Sequence, residues 1–395
     1  MQFCFSDRYK KTPGSFLDEL FRVSRDPAII SFAGGLPDTT LIDLEGIRKA
    51  TIAVLEDEGR SALQYTTTDG YLPLREYIAD RYRSRLGIPA TPAEIQIVNG
   101  SQQCLDIMGK IFISKGSHIG MEAPGYLGAI DAFSLYEPRI HTVPLIEGGP
   151  DPDIFEALVK RERLSFFYGI PNSQNPSGTT YSDDRRRHLA EVLAGSDCAF
   201  FEDDAFGELF FDGKARPPMK RYLPEQTVIS GSFSKIIAPG LRIGWIFAPA
   251  PVLKRFNHAK QAADLHSNLF SQMILTRYLR DNSLDDHISR ITSVYKEKCR
   301  LVCEHLDALG LAHTNPEGGM FLMATLPEGI SSMHLFEEGV REGIAILPGV
   351  PFYPAGGGEE TIRINFSSPS VEEIEVGMER LSKTLHAIRG RIPHS

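Results

Sequence analysis

Between residues 95 and 248 the chain carries short runs of consecutive apolar positions, each followed by turn residues and then by a helical pattern. The runs are IQIV (95–98), HIGM (118–121), IHTV (140–143), SFFY (165–168), CAFF (198–201), TVIS (227–230) and IGWIFA (243–248). Strands that read as near-continuous apolar runs, alternating with helices, predict an α/β fold. Its core is a mostly parallel seven-stranded sheet covered by helices on both faces. After about residue 290 the pattern changes. Amphipathic helical stretches (296–309 and 371–388) surround short strands at MFLMATL (320–326) and TIRINF (361–366), which predicts a smaller α+β domain. The expected division is an N-terminal segment (1–45) packing with the small domain, a large α/β domain (46–290) and a small C-terminal domain (291–395). No internal repeat or low-complexity tract interrupts this order, and PGVPFYPAGGGEE (348–360) reads as an ordered loop with turns.

Composition narrows the class. At 395 residues and 42% hydrophobic, the chain reads as an ordinary globular protein with two or three domains of about 100–200 residues each. The net charge of −9 argues against a nucleic-acid surface, which needs a basic excess. No apolar stretch is long enough to span a bilayer, and the opening MQFCFSDRYKK lacks the pattern of a secretory signal, so a cytoplasmic protein is expected. The five cysteines, odd in number and scattered, do not form a disulfide framework. Cys299 and Cys303 are four apart on a helical stretch, but two thiols without a histidine at ligand spacing do not make a zinc site. No metal site is assigned.

In open α/β sheets ligands bind beyond the carboxyl ends of the strands, and five of the seven runs end in polar or aromatic chemistry. IQIV leads into NGSQQ, HIGM into EAPGY, SFFY into GIPNSQNPSG, CAFF into EDDAFGEL and TVIS into GSFSKIIAPGLR. Gly100 and Ser101 stand at a helix start, where free N–H groups favour a phosphate, although a plain cap by Ser101 reads equally well there. NPSG (175–178) is at least a turn. The acidic run 202–204 is a solvated cluster, a metal site, or a set of carboxylates with buried partners, since burial is costly without them. SFSK is more specific. Ser232, Ser234 and Arg242 offer a phosphate cradle, and Lys235 beside them, desolvated at a strand end, can lose its proton and attack a carbonyl. A surface lysine is the plain alternative; a Walker-type loop is excluded because GxxxxGK[ST] is absent.

The segments SFAGGLPD (31–38), LQYTTTDGYLPLRE (63–76), GSQQCLDI (100–107), QNPSGTTYS (174–182), EDDAFGELFF (202–211), GSFSKIIAPGLRIGW (231–245), PEGGMFL (316–322) and RINFS (363–367) resemble fold-type I aminotransferases. The similarity is to the 2-aminoadipate, kynurenine and aromatic aminotransferase branch, in order from about residue 15 to about residue 388. The resemblance implies pyridoxal 5′-phosphate held as a Schiff base on Lys235, which then shuttles a proton, in the large domain. Asp203 is implied to keep a proton on the pyridine nitrogen, Asn175 to donate to the phenolic oxygen and Tyr126 to stack on the ring. Ser101, Gln102, Ser232, Ser234 and Arg242 are implied to hold the phosphate. Tyr65 is implied to reach the phosphate of a partner subunit, making a homodimer with shared sites. Arg363 is implied to grip the substrate α-carboxylate, helped by the backbone near Gly35. Physical chemistry agrees with such a set: a carbanion needs an electron sink, a cationic ring nitrogen needs a buried counter-anion, and a dianion needs fixed donors.

The implied reaction moves the amino group of an aromatic, 2-aminoadipate or branched-chain L-amino acid to a 2-oxo acid such as 2-oxoglutarate, in ping-pong fashion. A lyase, decarboxylase or racemase on the same fold is the alternative within enzymes. A ligand-sensing transcription regulator is the alternative outside them, but that arrangement needs a basic winged-helix domain before motifs that here begin by residue 31. One departure from the family pattern stands out. Three residues after the pyridine aspartate, where the family has tyrosine, this chain has Phe206, which leaves Asn175 more of the contact to the phenolic oxygen. The first helix (15–24) offers Asp18 and Arg22, and members that take acidic substrates read the distal carboxylate with an arginine there.

Overall fold

A computed structural model describes residues 3–10 and 26–390; the helix expected at 15–24, with Asp18 and Arg22, lies outside them. Thirteen strands follow in chain order: β1 (Ile30–Ser31), β2 (Ile95–Val98), β3 (His118–Ala123), β4 (Arg139–Ile146), β5 (Gly149–Pro150), β6 (Leu164–Gly169), β7 (Ala199–Asp204), β8 (Thr227–Ser232), β9 (Gly244–Phe247), β10 (Phe321–Thr325), β11 (Ile344–Ala345), β12 (Leu347–Pro348) and β13 (Thr361–Asn365). The central sheet has the order β2-β9-β8-β7-β6-β3-β4-β5. β8, β7, β6, β3 and β4 run parallel, while β9 is antiparallel to both of its neighbours. All seven apolar runs are strands of this sheet. The eighth strand, β5, is a two-residue edge strand antiparallel to β4.

The runs lack period-two alternation because both faces of the sheet are covered. Every residue of β2 and β8 is buried, as are all of β6 but Ser165 and the inner positions of β7. Phe133, Phe166, Phe201 and Phe256 fill one face; Phe155, Phe167 and Phe200 belong to a second cluster. β4, near the edge, exposes Arg139, Pro144 and Ile146 and buries only Val143.

Beyond residue 320 a three-stranded antiparallel sheet, β10-β13-β12, packs with helices Leu284–Ala308 and Val371–Arg389. The second of these begins in a capping box in which Ser370 and Glu373 satisfy each other's backbone N–H groups. β1 pairs in parallel with β11. One continuous core runs from Val54 and Ile97 through Phe206, Phe233 and Tyr295 to Ile364 and Leu385, so the two sheets are not separated by solvent. Among the described residues no helix is long and apolar enough to cross a membrane.

Candidate active site

A cavity of about 410 Å³ opens at the carboxyl ends of β2, β3, β6, β7 and β8, between them, the stretch 33–36 and β13. It is within the size range of small-molecule sites. Gly35, Ser101, Gln102, Tyr126, Asn175, Asp203, Ser232, Ser234, Lys235, Arg242 and Arg363 all line it. Tyr65 does not: its side chain is 77% exposed and its ring meets the edge of His266 at 5.6 Å.

One end of the cavity suits an anion. Helix Ser101–Phe112 starts two residues after β2, and its N-cap is Gly100 (φ 77°), which offers no capping side chain. Ser101 is therefore inside the first turn, not the cap, and the first N–H groups of the helix are left for a ligand. A Cβ at position 100 would strike the Arg242 guanidinium, so only glycine lets the arginine lie over the helix start. Arg242 itself holds a left-handed backbone (φ 55°) and donates to the Asn99 carbonyl at 3.2 Å and the Pro239 carbonyl at 3.4 Å. Ser232 and Ser234 close this end, the Ser234 N–H donating to Ser232 Oγ at 3.1 Å. Behind the turn, Asp264 accepts from Asn99 Nδ2 at 2.5 Å, Gln103 Nε2 at 2.7 Å and Lys260 Nζ at 2.8 Å.

The floor is a carboxylate. Asp203, near the end of β7, is buried; its Oδ2 accepts from Tyr168 at 2.8 Å and its Oδ1 from Ser230 at 2.9 Å. Burial pushes its pKa up, opposed by the two hydrogen bonds. This answers the sequence alternatives for 202–204. Asp204 accepts from Asn172 Nδ2 at 2.8 Å and Glu202 from the Met219 N–H at 2.8 Å, so all three are internally partnered rather than a solvated cluster.

At the centre Lys235 is not a surface lysine. Its Nζ donates to the Gly35 carbonyl at 2.6 Å, and burial, with Arg363 and Arg242 adding repulsion, lowers its pKa to about 8. Opposite, Arg363 on β13 donates to Asn175 Oδ1 at 2.9 Å and to the Ala33 carbonyl at 2.5 Å. Its guanidinium lies 4.3 Å from the Phe321 ring centroid, and burial lowers its pKa to about 9. Its Nε is buried without a partner. Tyr126 hydroxyl is 3.5 Å from Gln102 Oε1, and burial raises its pKa to about 12. Phe206 meets Phe321 edge-on at 5.8 Å.

Two supports lie behind these groups. The stretch before Asp38 is tied down by Lys298, which donates to Asp38 Oδ2 at 2.6 Å and the Ser367 carbonyl at 3.0 Å, while Ser367 Oγ donates to the Leu36 carbonyl at 2.9 Å. The loop presenting Asn175 is fixed by Arg186, fully buried, which donates to the carbonyls of Pro171 (2.9 Å), Tyr181 (3.1 Å) and Pro217 (2.9 Å) and to Asn172 Oδ1 (2.9 Å). Gln174 adds bonds to Glu122 at 3.0 Å and to the Pro124 carbonyl at 2.8 Å. Sequence reading passed over Tyr168, Ser230 and Arg186; the first two were visible only as polar residues at the ends of apolar runs.

The cavity thus offers a helix start with two serines and an arginine, a buried carboxylate held by hydroxyls, a nucleophilic amine and an arginine with a spare N–H. These fit a ligand bearing a phosphate, a protonated ring nitrogen and a carbonyl, beside a second ligand bearing a carboxylate.

Comparison with known proteins agrees with this chemistry. The family model "Aminotransferase class I and II" matches residues 29–381. A 2-aminoadipate transaminase of Thermus thermophilus is 39% identical over 382 residues, covering 95% of this chain and 94% of the relative. Aromatic-amino-acid aminotransferase 1 of Thermococcus litoralis is 38% identical over 390 residues, covering 96% and 94%. The crystal structure of an α-aminoadipate aminotransferase from Thermus thermophilus, complexed with N-(5′-phosphopyridoxyl)-L-leucine, superposes with a TM-score of 0.91 at 37% identity, over 98% of each chain.

Proposed function

Because the chain belongs to the class I and II aminotransferases, and is thus a pyridoxal-phosphate-dependent transaminase of fold type I, we propose roles for its own residues and a substrate class. The observation that carries the reading is the meeting of three buried groups, the Lys235 amine, the Asp203 carboxyl and the Arg363 guanidinium, on one cavity. When bound, the cofactor supplies a carbonyl for amino groups and a ring that takes up the electron pair left when the Cα–H bond breaks.

Lys235 is the covalent anchor and afterwards the base whose Nζ takes and returns the α-proton; a pKa lowered by burial to about 8 leaves it mostly protonated at pH 7 but with a far larger free-base fraction than an ordinary lysine. Asp203 holds the proton on the ring nitrogen, and Tyr168 and Ser230 keep its carboxylate in place. Ser101, Gln102, Ser232, Ser234 and Arg242 hold the phosphate. Asn175 orients the phenolic oxygen, and Tyr126 covers the ring. Arg363 binds the substrate α-carboxylate, its unpartnered Nε completing a two-pronged contact, beside the Gly35 backbone.

The donors are aromatic, 2-aminoadipate or branched-chain L-amino acids, with a 2-oxo acid such as 2-oxoglutarate as acceptor in a ping-pong cycle. Leu36, Leu127, Phe321 and Leu347 on the cavity wall support apolar side chains, as does the name of the Thermococcus litoralis relative, an aromatic-amino-acid aminotransferase; the 2-aminoadipate transaminase of Thermus thermophilus supports the acidic donor. The working unit is a homodimer: Leu63 and Tyr65 are 68% and 77% exposed, and Leu265, 45% exposed, stands beside the His266 that Tyr65 touches. Such a surface suits a partner, with Tyr65 reaching the partner's phosphate. We assign residues 46–290 to the cofactor domain and the described residues from 291 onward to the small domain, against which the described part of the 1–45 segment packs through β1 and β11. Five free cysteines support a cytoplasmic setting.

The deciding experiment is the visible spectrum of the purified protein and of Lys235→Ala during addition of single amino acids. Wild type should lose its cofactor band with glutamate or an aromatic amino acid and regain it with 2-oxoglutarate. A Lys235→Ala protein with the same covalently anchored band would overturn the assignment of Lys235.

A further inference from the structure

The cavity lies at the carboxyl ends of the strands; a second group of chemistry-bearing side chains lies at the opposite end of the sheet. His118 is the first residue of β3 and His141 the third of β4, and these strands are parallel with Gly120 registered on His141. Side chains two apart share a face of a strand, so both imidazoles project from the same face. Glu162 follows helix Pro152–Arg161 and leads into β6, the other neighbour of β3.

The donor atoms converge. His118 Nδ1 is 2.8 Å from Glu162 Oε2 and 3.1 Å from His141 Nε2, and the three lie within 4.8 Å of one another. Ligand atoms bound tetrahedrally at about 2.0–2.1 Å stand roughly 3.3 Å apart, so the cluster needs little movement to share an ion. Two imidazole nitrogens facing each other share at most one hydrogen, whereas a cation accepts both lone pairs and the carboxylate together. Arg161 Nε holds the other carboxylate oxygen, Glu162 Oε1, at 3.0 Å, which orients the glutamate and leaves Oε2 for the cluster. The side chains of His118 and Glu162 are 25% and 22% exposed, so water can reach them.

We propose that His118, His141 and Glu162 bind one divalent transition-metal ion, with water completing its shell. Two nitrogens and one oxygen select Zn²⁺, Ni²⁺ or Cu²⁺ over Mg²⁺ and Ca²⁺, which prefer oxygen throughout. Arg139, registered with His118, and Arg161 oppose a cation and keep the affinity moderate. Because β3 runs from His118 to Ala123 before the cavity begins, the ion takes no part in transamination; it ties together the starts of β3, β4 and β6.

The test uses holoenzyme dialysed against a chelator and titrated with ZnCl₂ in competition with a chromophoric chelator, for wild type, His141→Ala and Glu162→Gln. Wild type should take up one more Zn²⁺ per chain than His141→Ala, and its melting temperature should rise with Zn²⁺ where that of the variant does not. Glu162→Gln, nearly isosteric, should weaken binding by about tenfold or more while turnover stays at the wild-type value. Co²⁺ should give an absorption spectrum of mixed nitrogen and oxygen ligation in wild type and none in His141→Ala. Equal Zn²⁺ uptake by wild type and both variants, or none by wild type, would overturn the proposal. Should His141→Ala fail to fold, the comparison with Glu162→Gln decides.

Discussion

The hydroxyl of Tyr168 on β6 donates to Oδ2 of Asp203 on β7 at 2.8 Å, while Ser230 on β8 takes Oδ1 at 2.9 Å. Three neighbouring strands therefore fix one buried carboxylate. A hydrogen bond to a charged group contributes about 1.5–3 kcal/mol, and about 1.4 kcal/mol is tenfold in rate. Tyr168→Phe should lower kcat/KM by about tenfold or more with the fold intact, and steady-state kinetics with a good donor would show it. An unchanged value would remove Tyr168 from the site.

Lys235 sets a pH dependence. Burial, with Arg363 and Arg242, brings its amine down to about 8, whereas an unfolded lysine titrates near 10.4. The rate at which apoprotein captures cofactor should therefore rise with pH up to about 8 and then level off, as followed by stopped-flow absorbance. The sign for stability follows from the same shift. Between about 8 and about 10.4 the unfolded chain binds more protons than the native one, so this group makes the apoprotein more stable as pH rises through that window.

Replacing Arg363 should separate substrate binding from cofactor binding. Arg363→Ala should raise KM for amino-acid donors by about a hundredfold, from loss of a bidentate ion pair, while the visible cofactor band persists. Arg363→Lys should restore only part of the affinity, because an ammonium cannot reproduce the planar fork.

Phe206 leaves an apolar edge against Phe321 where a hydroxyl could stand. Phe206→Tyr should shift the pH midpoint of the cofactor's visible band downward, through a new donor to the phenolic oxygen. A titration identical to wild type would count against the placement of that oxygen beside residue 206.

Arg186 makes four hydrogen bonds to the loop carrying Asn175 and to Pro217. Arg186→Met would leave the Tyr181 and Pro217 carbonyls and Asn172 Oδ1 without this donor, each worth about 1–3 kcal/mol, while the Pro171 carbonyl keeps the Tyr181 N–H. Urea denaturation should show a loss of about 3 kcal/mol or more, with weaker cofactor retention accompanying it.

The large sheet was legible because strands buried on both faces, as β2, β6, β7 and β8 are, give near-continuous apolar runs, and strand ends announce where a ligand sits. β5 was not, since Gly149 and Pro150 form no run; their pairing with β4 comes from the turn between them. Every cavity residue named from the sequence borders one space except Tyr65, whose implied role needs a second chain. Tyr168 and Ser230 were hidden because a single hydroxyl within an apolar run reads as strand. Arg186 was passed over because an arginine in a helix reads as solvated, although its spacing with Leu189, Ala190 and Leu193 already sets it apart from Arg185 and Arg187; what the pattern does not give is which partners an inward guanidinium takes. That choice is made by carbonyls from Pro171 to Pro217.

The bond from Arg363 to the Ala33 carbonyl joins positions 330 apart. At about 5–20 residues per second of synthesis, Ala33 leaves the ribosome on the order of tens of seconds before its partner is made. The lysine, the aspartate and the phosphate cradle are all translated by residue 245. A growing chain thus carries the residues proposed for its coenzyme well before the arginine proposed to recognise an amino acid, so the part that would read a substrate is the last of the cavity wall to be translated.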